Sequence, residues 1–256
     1  MKTKKKLITL IMVMALALAS MVGGTLAYFT DDADAVNTFT YGNIDIELVE
    51  KGENAAGETV DFGELTEAEK ELMPTTGKDA EGNIINAIKK EVTVTNEGDN
   101  DAYVRLHIAI PQILDNGYDT FDASKNLLHF NFEKESVGDG LWNWSKSLDE
   151  PYTSDWNFYT AEIEGIWYNV YVVTYEGILK PDESTVNAIH QVYLEATATQ
   201  EDMAKVYETL GEQWNVVVVA EGAQVQGFED AYTALNTAFG VPGTYSVEWP
   251  QVAPQQ

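Results

Sequence analysis

KEVTVTNEGDNDAYVRLHIAI, residues 90–110, contains two runs of alternating apolar residues on either side of a polar segment of Glu, Gly, Asp and Asn. A period of two predicts two strands, each with one buried face. The intervening residues 97–101 tolerate tight turns, so we predict that the two strands form a β-hairpin. The residues expected on the buried faces are Val92, Val94, Val104, Leu106, Ile108 and Ile110.

Further strand patterns lie on both sides of this stretch. Ile44, Ile46 and Leu48 alternate with polar residues, which predicts an early strand with one buried face. Later strands are predicted in residues 166–175 and 184–198, and the continuous apolar run 214–219 is typical of a strand buried on both faces. The chain shows no regular alternation of strands and helices, so we expect a mostly β fold: an antiparallel sandwich or jelly roll with a few peripheral helices.

Three helices are indicated by their end signals. Thr66 and Glu69 have the spacing of a capping box, and Pro74 follows as a stop. Thr199 precedes a helix that Gly211 would end. The last helix carries an apolar stripe and ends before Gly240 and Pro242. The stripe consists of Phe228, Ala231, Tyr232, Leu235 and Phe239.

The N-terminus has the three parts of an export signal. Four lysines lie within residues 1–6, a short apolar run follows, and Thr25-Leu26-Ala27 resembles an A-x-A cleavage site. The apolar run is too short to span a bilayer, which needs about 20 residues. We therefore predict a signal peptide in residues 1–27, cleaved between Ala27 and Tyr28, with an uncleaved anchor as the other interpretation.

The segment after this junction resembles a known family. GTLAYFTD and NTFTYGNIDIEL are similar to the start of the TasA/camelysin family, biofilm matrix fibre proteins exported with a SipW-type signal peptide. VTVTNEGDNDAYVR, GILKPDES and VVVVAEGAQVQGFEDA resemble later segments of the same family. The residues that carry the N-terminal resemblance are Gly24, Thr25, Ala27, Tyr28, Phe29, Asp31, Asn37, Thr38, Phe39, Gly42, Ile44, Ile46 and Leu48.

The resemblance implies a role and a mechanism. It implies a β-sandwich that assembles with itself or with related matrix proteins, after processing by a SipW-type signal peptidase. It further implies that an extended segment, residues 28–42, pairs with an open sheet edge of the next subunit. Its apolar anchors would be Phe29, Val36 and Phe39. The other interpretation of this segment is a flexible lead-in to the first strand.

Composition limits the partners. The formal net charge is −27, and loss of the four N-terminal lysines would make the mature chain still more acidic. Such a chain repels nucleic acid and anionic lipid, so we expect neither as a partner after cleavage. Cysteine is absent, which favours a bacterial cell exterior over a disulfide-dense secreted domain. The hydrophobic content of 45% is enough for a sizeable core, and we expect residues 43–256 to form one β-sandwich domain with insertions at about 50–87 and 112–164.

Catalytic motifs are not found in the sequence. A zincin needs H-E-x-x-H, whereas His107, His129 and His190 are isolated and none precedes a glutamate. The chain has no G-x-S-x-G elbow, no P-loop and no cysteine nucleophile. We therefore predict a protein without catalytic residues, metal or cofactor. A camelysin-like metallopeptidase, which the resemblance also raises, is an alternative.

Two other features leave alternatives open. An aromatic series in the insertion 112–164 could stack on sugars, as in an adhesin or glycan-binding module, or could fill a satellite core. The acidic turn residues Asn96, Asp99 and Asp101 could bind calcium, although Asx residues at a turn need no metal. The aromatic residues are Trp142, Trp144, Tyr152, Trp156, Phe158 and Tyr159.

Overall fold

The structure, a computed structural model, describes residues 37–39, 44–75, 77, 79–80, 84–115, 126–131, 141–143, 158–211 and 214–250. Within these ranges the chain forms two β-sheets and two α-helices, and the apolar core lies between the sheets. The predicted mostly β sandwich is thereby confirmed. The predicted cleavage site at Ala27 and Tyr28 lies outside the described residues.

Eleven strands and two α-helices are described. The strands are β1 Asn37–Phe39, β2 Ile46–Glu53, β3 Thr59–Asp61, β4 Ile88–Asn96, β5 Ala102–Pro111, β6 Leu128–Asn131, β7 Trp142–Asn143, β8 Phe158–Ile163, β9 Ile166–Tyr175, β10 Ile189–Leu194 and β11 Val217–Gln224. The helices are α1 Gln200–Leu210 and α2 Ala231–Ala238.

One sheet has five strands and the other has six. The five-stranded sheet has the order β3-β2-β4-β10-β6. In the six-stranded sheet the order is β1-β11-β5-β9, and both β7 and β8 pair with the far edge of β9. Pairings between the described strands are antiparallel except that of β1 with β11, which is parallel. Strands that are consecutive in the sequence, such as β4 and β5 or β9 and β10, therefore lie in different sheets, and the chain crosses from one sheet to the other several times.

The hairpin predicted for residues 90–110 is wrong, although both of its strands exist. β4 lies in the five-stranded sheet between β2 and β10, and β5 lies in the six-stranded sheet between β11 and β9. Each strand therefore has both of its edges occupied by other partners. Asn96 is fully buried and fixes the crossing, because its side-chain amide donates to the carbonyls of Asn100 at 2.8 Å and Leu179 at 3.0 Å. Its Oδ1 accepts from the amide of Gly98, so this oxygen already has a partner within the turn.

The core follows the predicted alternation. Val92, Val94, Leu106 and Ile108 are fully buried and belong to one apolar cluster between the sheets. Burying apolar surface of this kind contributes about 25 cal/mol per Å² and is the main favourable term in folding. Every residue of β5 is buried, because the six-stranded sheet is covered on its outer face as well.

The outer face of the six-stranded sheet is covered by α2 and by the chain that follows it. Tyr103 and Ala223 of the sheet pack against Ala231 and Leu235 of α2. A second apolar cluster on the same face contains Ala109, Ile163, Tyr168, Val170 and Val217, with Trp249 packed against it. Charged side chains on this face are consequently removed from water.

The predicted helix caps are confirmed. The Thr66 hydroxyl accepts from the Glu69 amide, and the Glu69 carboxylate accepts from the Thr66 amide, which is the reciprocal pattern of a capping box. The element between them is only the short 3₁₀ turn Glu67–Glu69. Thr199 caps α1 in the same way with Asp202, and Gly211 follows the helix with φ 83°. In the part of the chain described, neither helix has the length and apolar composition needed to span a bilayer.

Candidate assembly edge and the buried polar cluster behind it

The edge of the six-stranded sheet is formed by β1. Asn37, Thr38 and Phe39 lie opposite Ala220, Glu221 and Gly222 of β11 in parallel register. β1 has three residues and β11 has eight, so β1 pairs with only the middle and later part of this edge. The sequence analysis predicted an extended segment here, but it did not predict that part of the segment pairs with a strand of its own chain. Of the predicted anchors, Phe29 and Val36 lie outside the described residues, as does the side chain of Phe39.

Gly222 occupies a position where a side chain would be crowded by its neighbours and would require them to shift. A Cβ atom there would lie 3.0 Å from Cδ1 of Ile46 and 3.3 Å from Cγ2 of Ile44. Both isoleucines belong to the core, and Ile46 begins β2 in the opposite sheet. The two sheets therefore approach each other closely behind the residue that pairs with Phe39.

Behind this edge lies a group of five polar side chains that we call the buried cluster: Arg105, His107, Tyr159, Glu221 and Tyr245. Arg105, His107 and Glu221 are each at most 2% exposed. Arg105 Nε donates to Glu221 Oε2 at 2.5 Å, and His107 Nε2 lies 3.1 Å from the same oxygen. β5 supplies Arg105 and His107 from alternate positions on one face, and β11 supplies Glu221 opposite Arg105.

The hydrogen bonds of the buried cluster form one consistent set. Tyr245 donates its hydroxyl proton to Glu221 Oε1 at 2.6 Å and accepts from Arg105 Nη2 at 2.8 Å. His107 donates from Nε2 towards Glu221, which leaves Nδ1 to accept from the Tyr159 hydroxyl at 3.1 Å. Arg105 also donates to Asn236 Oδ1 of α2 at 2.8 Å and to the carbonyl of Gly240 at 3.1 Å. Buried charges of this kind are tolerated when they are paired and hydrogen-bonded.

The buried cluster carries one positive charge, on Arg105, and one negative charge, on Glu221, at neutral pH. Burial lowers the pKa of His107 below 6.5, and although Glu221 opposes this effect the imidazole is neutral at neutral pH. Burial alone would raise the pKa of Glu221, but His107, Arg105 and the hydrogen bond from Tyr245 outweigh it and lower the pKa to about 2. Because His107 is neutral, Arg105 is the counter-ion of the Glu221 carboxylate.

The two lowered pKa values predict that acid destabilises the fold. A group whose pKa is lower in the folded state stabilises the protein above its unfolded pKa, and this contribution is lost as the pH falls through the folded value. For His107 the loss begins near pH 6.5, and for Glu221 it extends from about pH 4.5 to about pH 2. Urea denaturation at several pH values between 7 and 3 measures how the free energy of unfolding falls with pH. In Glu221→Gln the slope of stability against pH below pH 4.5 should be shallower, and an unchanged slope would contradict the assignment.

A second polar network lies beside the first half of β9. Asn169 is fully buried and donates to Asp115 Oδ2 at 2.8 Å, and the Tyr171 hydroxyl donates to the same oxygen at 2.5 Å. Gln112 Nε2 donates to Asn169 Oδ1 at 3.0 Å. This network fixes the chain after β5, where Asp115 leaves the short turn Gln112–Leu114.

The three histidines do not converge. His107 lies in the buried cluster, His129 Nε2 lies 2.9 Å from Glu195, and His190 Nδ1 lies 3.9 Å from Glu91. Within the described ranges, no group of three or more potential metal-binding side chains is found. The described residues therefore do not supply the ligand set that zinc catalysis requires.

The aromatic series divides between the core and the undescribed part of the chain. Trp142 is 1% exposed, stacks edge-on against Tyr175 and donates from Nε1 to the Val186 carbonyl at 2.7 Å. Tyr159 belongs to the buried cluster. Trp144, Tyr152 and Trp156, and the side chain of Phe158, lie outside the described residues. Trp167, which the sequence analysis placed only within a strand, is 53% exposed.

The sequence analysis did not single out Arg105 or Glu221. A signal was nevertheless present, since each is a charged residue inside an apolar strand pattern, AYVRLHIAI and VVVVAEGA. Charged residues are almost never fully buried unless they are paired. Two opposite charges within two strongly apolar runs were therefore candidates for a buried pair.

Comparison with known proteins supports the family resemblance at the N-terminus. Residues 2–66 match the family described as camelysin metallo-endopeptidase. The match includes the predicted signal, the segment up to β1, and β2 and β3. No curated protein matches the chain. The N-terminal quarter of the chain is therefore similar to the TasA/camelysin family, as its residues indicated.

Proposed function

We propose that this chain is a secreted structural protein of the extracellular matrix that assembles into fibres with copies of itself or with related chains. The observation that carries the proposal is the position of β1. A short segment that follows the predicted signal lies in parallel register at the edge of a sheet, where a strand from a second chain could take its place.

Strand donation is the assembly mechanism that this edge supports. A segment that pairs within its own chain can pair in the same register with a second copy, since the contacting backbone groups are identical. Main-chain hydrogen bonds would hold the contact, and the close approach of the sheets at Gly222 would set the register. The released donor would be residues 28–40, with Phe29, Val36 and Phe39 as anchors.

The proposed role does not require a reaction centre. The buried cluster contains an Arg–Glu ion pair and a histidine, but these Arg, His and Glu side chains are closed to solvent. It is built as a structural network in which each charge has its partner. We therefore propose a non-enzymatic protein, which a SipW-type signal peptidase releases after Ala27 and which acts outside the cell.

The acidity of the chain sets the conditions for assembly. Signal-cleaved subunits, with a formal charge four units more negative than the −27 of the whole chain, repel one another at low ionic strength, and salt screens this repulsion. Salt or divalent cations should therefore promote assembly of the signal-cleaved protein. Assembly assays consequently need a salt series at neutral pH, where Glu221 is ionised and His107 is neutral.

Deleting residues 28–39 is expected to abolish fibre growth and to leave a folded monomer, because the deletion removes most of the donor segment and none of the residues in the three described apolar clusters. Negative-stain microscopy and light scattering across the salt series measure growth, and circular dichroism checks the fold. A chain that lacks residues 251–256 is the matched truncation control and should assemble normally. Fibres of normal length from the N-terminal deletion would refute strand donation.

The description of the matching family favours a second candidate, a metallopeptidase. Metal analysis of the purified protein separates the two candidates. Stoichiometric zinc together with peptide cleavage that a chelator abolishes would favour the peptidase, although the described histidines are each paired with a different carboxylate.

A further inference from the structure

The chain after α2 closes the buried cluster from solvent. We call residues 240–245 the closing segment. Its first residue, Gly240, accepts from Arg105, and its last, Tyr245, contacts Arg105, Glu221 and His107 at 2.8, 2.6 and 3.2 Å. The closing segment contains neither helix nor strand, so these side-chain contacts, more than a backbone ladder, hold it on the sheet.

The closing segment is shaped to lie flat on the sheet. Gly243 has φ 84°, and a Cβ atom there would lie 3.1 Å from Cβ of Tyr159. The glycine therefore lets the backbone approach a tyrosine that itself donates to His107. Loss of the Tyr245 hydroxyl would remove the hydrogen bonds from the closing segment to Glu221 and His107 and one of its two bonds from Arg105, and would leave the bond from Arg105 to Gly240.

The buried cluster is directly linked to the three residues of β11 that pair with β1, Ala220 to Gly222. Glu221 is the middle residue of the three that pair with β1, opposite Thr38. Its neighbours Ala220 and Gly222 face the core between the sheets, whereas its own side chain points to the opposite face and into the cluster. The residue that lies opposite Thr38 in the ladder therefore also carries the carboxylate that Tyr245 binds.

Because β1 has only three residues, its pairing with β11 depends strongly on how rigidly β11 is held. β1 makes few backbone hydrogen bonds, so a small displacement of β11 changes a large part of the interaction. We propose that the closing segment is a latch on strand exchange: through Tyr245 and Glu221 it holds the edge of β11 in the geometry that β1 needs. The coupling is a property of the monomer, and its consequence for fibres rests on the proposed function.

Tyr245→Phe tests the latch with a minimal change, since it removes one hydroxyl and no charge. We expect hydrogen–deuterium exchange of the segment containing Asn37–Phe39, and of β11, to become on the order of tenfold faster than in the unchanged chain, because hydrogen bonds to two charged groups are lost. The exchange of β2 and β4 in the other sheet should change much less.

Tyr171→Phe is the matched control. It removes a buried tyrosine hydroxyl that also donates to a carboxylate, Asp115, but at a site away from the edge. It should lower overall stability without selectively accelerating exchange in β1. Equal acceleration by the two variants, or no acceleration in Tyr245→Phe, would overturn the latch.

Fibre assays extend the test. If the edge of β11 is less rigid, it releases β1 more easily, so Tyr245→Phe should shorten the lag before assembly. The same edge also binds a donor strand less tightly, so the protein concentration needed for fibres should rise. A variant that assembles with unchanged lag and unchanged threshold would count against the latch. If the exchange result is as expected but the unchanged chain forms no fibres at any salt concentration, the latch holds as a property of the monomer and the proposed function fails.

Discussion

Arg105→Met is expected to lower the free energy of unfolding by about 3–5 kcal/mol, because it leaves the Glu221 carboxylate buried without its counter-ion. Arg105 is 2% exposed and donates to Glu221, Asn236, Gly240 and Tyr245, so the substitution also leaves acceptors without a donor. Urea denaturation at pH 7, followed by circular dichroism, measures the loss.

Two further variants make the interpretation specific. Lys205→Met breaks an exposed ion pair with Glu201 on α1, and we expect a change within about 0.5 kcal/mol. The double variant Arg105→Met/Glu221→Leu removes both charges and should regain much of the stability, since apolar residues often replace a buried pair at little cost. A loss below about 1 kcal/mol in Arg105→Met would show that the pair is not desolvated as described.

Trp142→Ala is expected to destabilise the fold by about 3–5 kcal/mol, because it removes the largest fully buried side chain and leaves a cavity between the sheets. The Val186 carbonyl would also lose the donor at 2.7 Å, and Tyr175 would lose its aromatic neighbour. Thermal unfolding and urea denaturation measure the effect.

Trp167→Ala is the control for this substitution and also tests the glycan-binding alternative. Trp167 is 53% exposed, so its removal should change stability by less than about 1 kcal/mol. Sugar stacking requires an accessible ring face, which Trp142 does not offer. Glycan-array binding that is lost in Trp167→Ala would favour an adhesin, and a stability loss as large as that of Trp142→Ala would contradict the described burial.

Local signals in the sequence predicted most of the elements. The capping box of Thr66 and Glu69, the cap of α1 at Thr199 and the alternating burial of β4 depend on residues a few positions apart, and each is confirmed. The prediction of one buried face is wrong for β5, which is buried on both faces. The family resemblance at the N-terminus is also confirmed by the match to residues 2–66. Strand lengths were less accurate: β10 is shorter than the predicted 184–198, and β11 begins after Trp214 and extends beyond Val219.

The pairing of the strands could not be predicted in the same way. A turn rich in Gly, Asp and Asn is equally suited to a hairpin and to a crossing between sheets, and the choice depends on which distant strands occupy the two edges. For β4 those partners are β2 and β10. The buried cluster was missed for a related reason, since Arg105 and Glu221 are far apart in sequence and only the pairing of β5 with β11 brings them together.

The position of β11 determines when the N-terminal strand can be seated. β1 comes first among the described strands and β11 last, yet they are neighbours in the same sheet, and β5 also needs β11 along one edge. During synthesis, β1 and β5 therefore remain without this partner until β11 has been made. Under the proposed export, this sheet would be completed only after β11 had also crossed the membrane, so that β1 and the strand it pairs with would become available together.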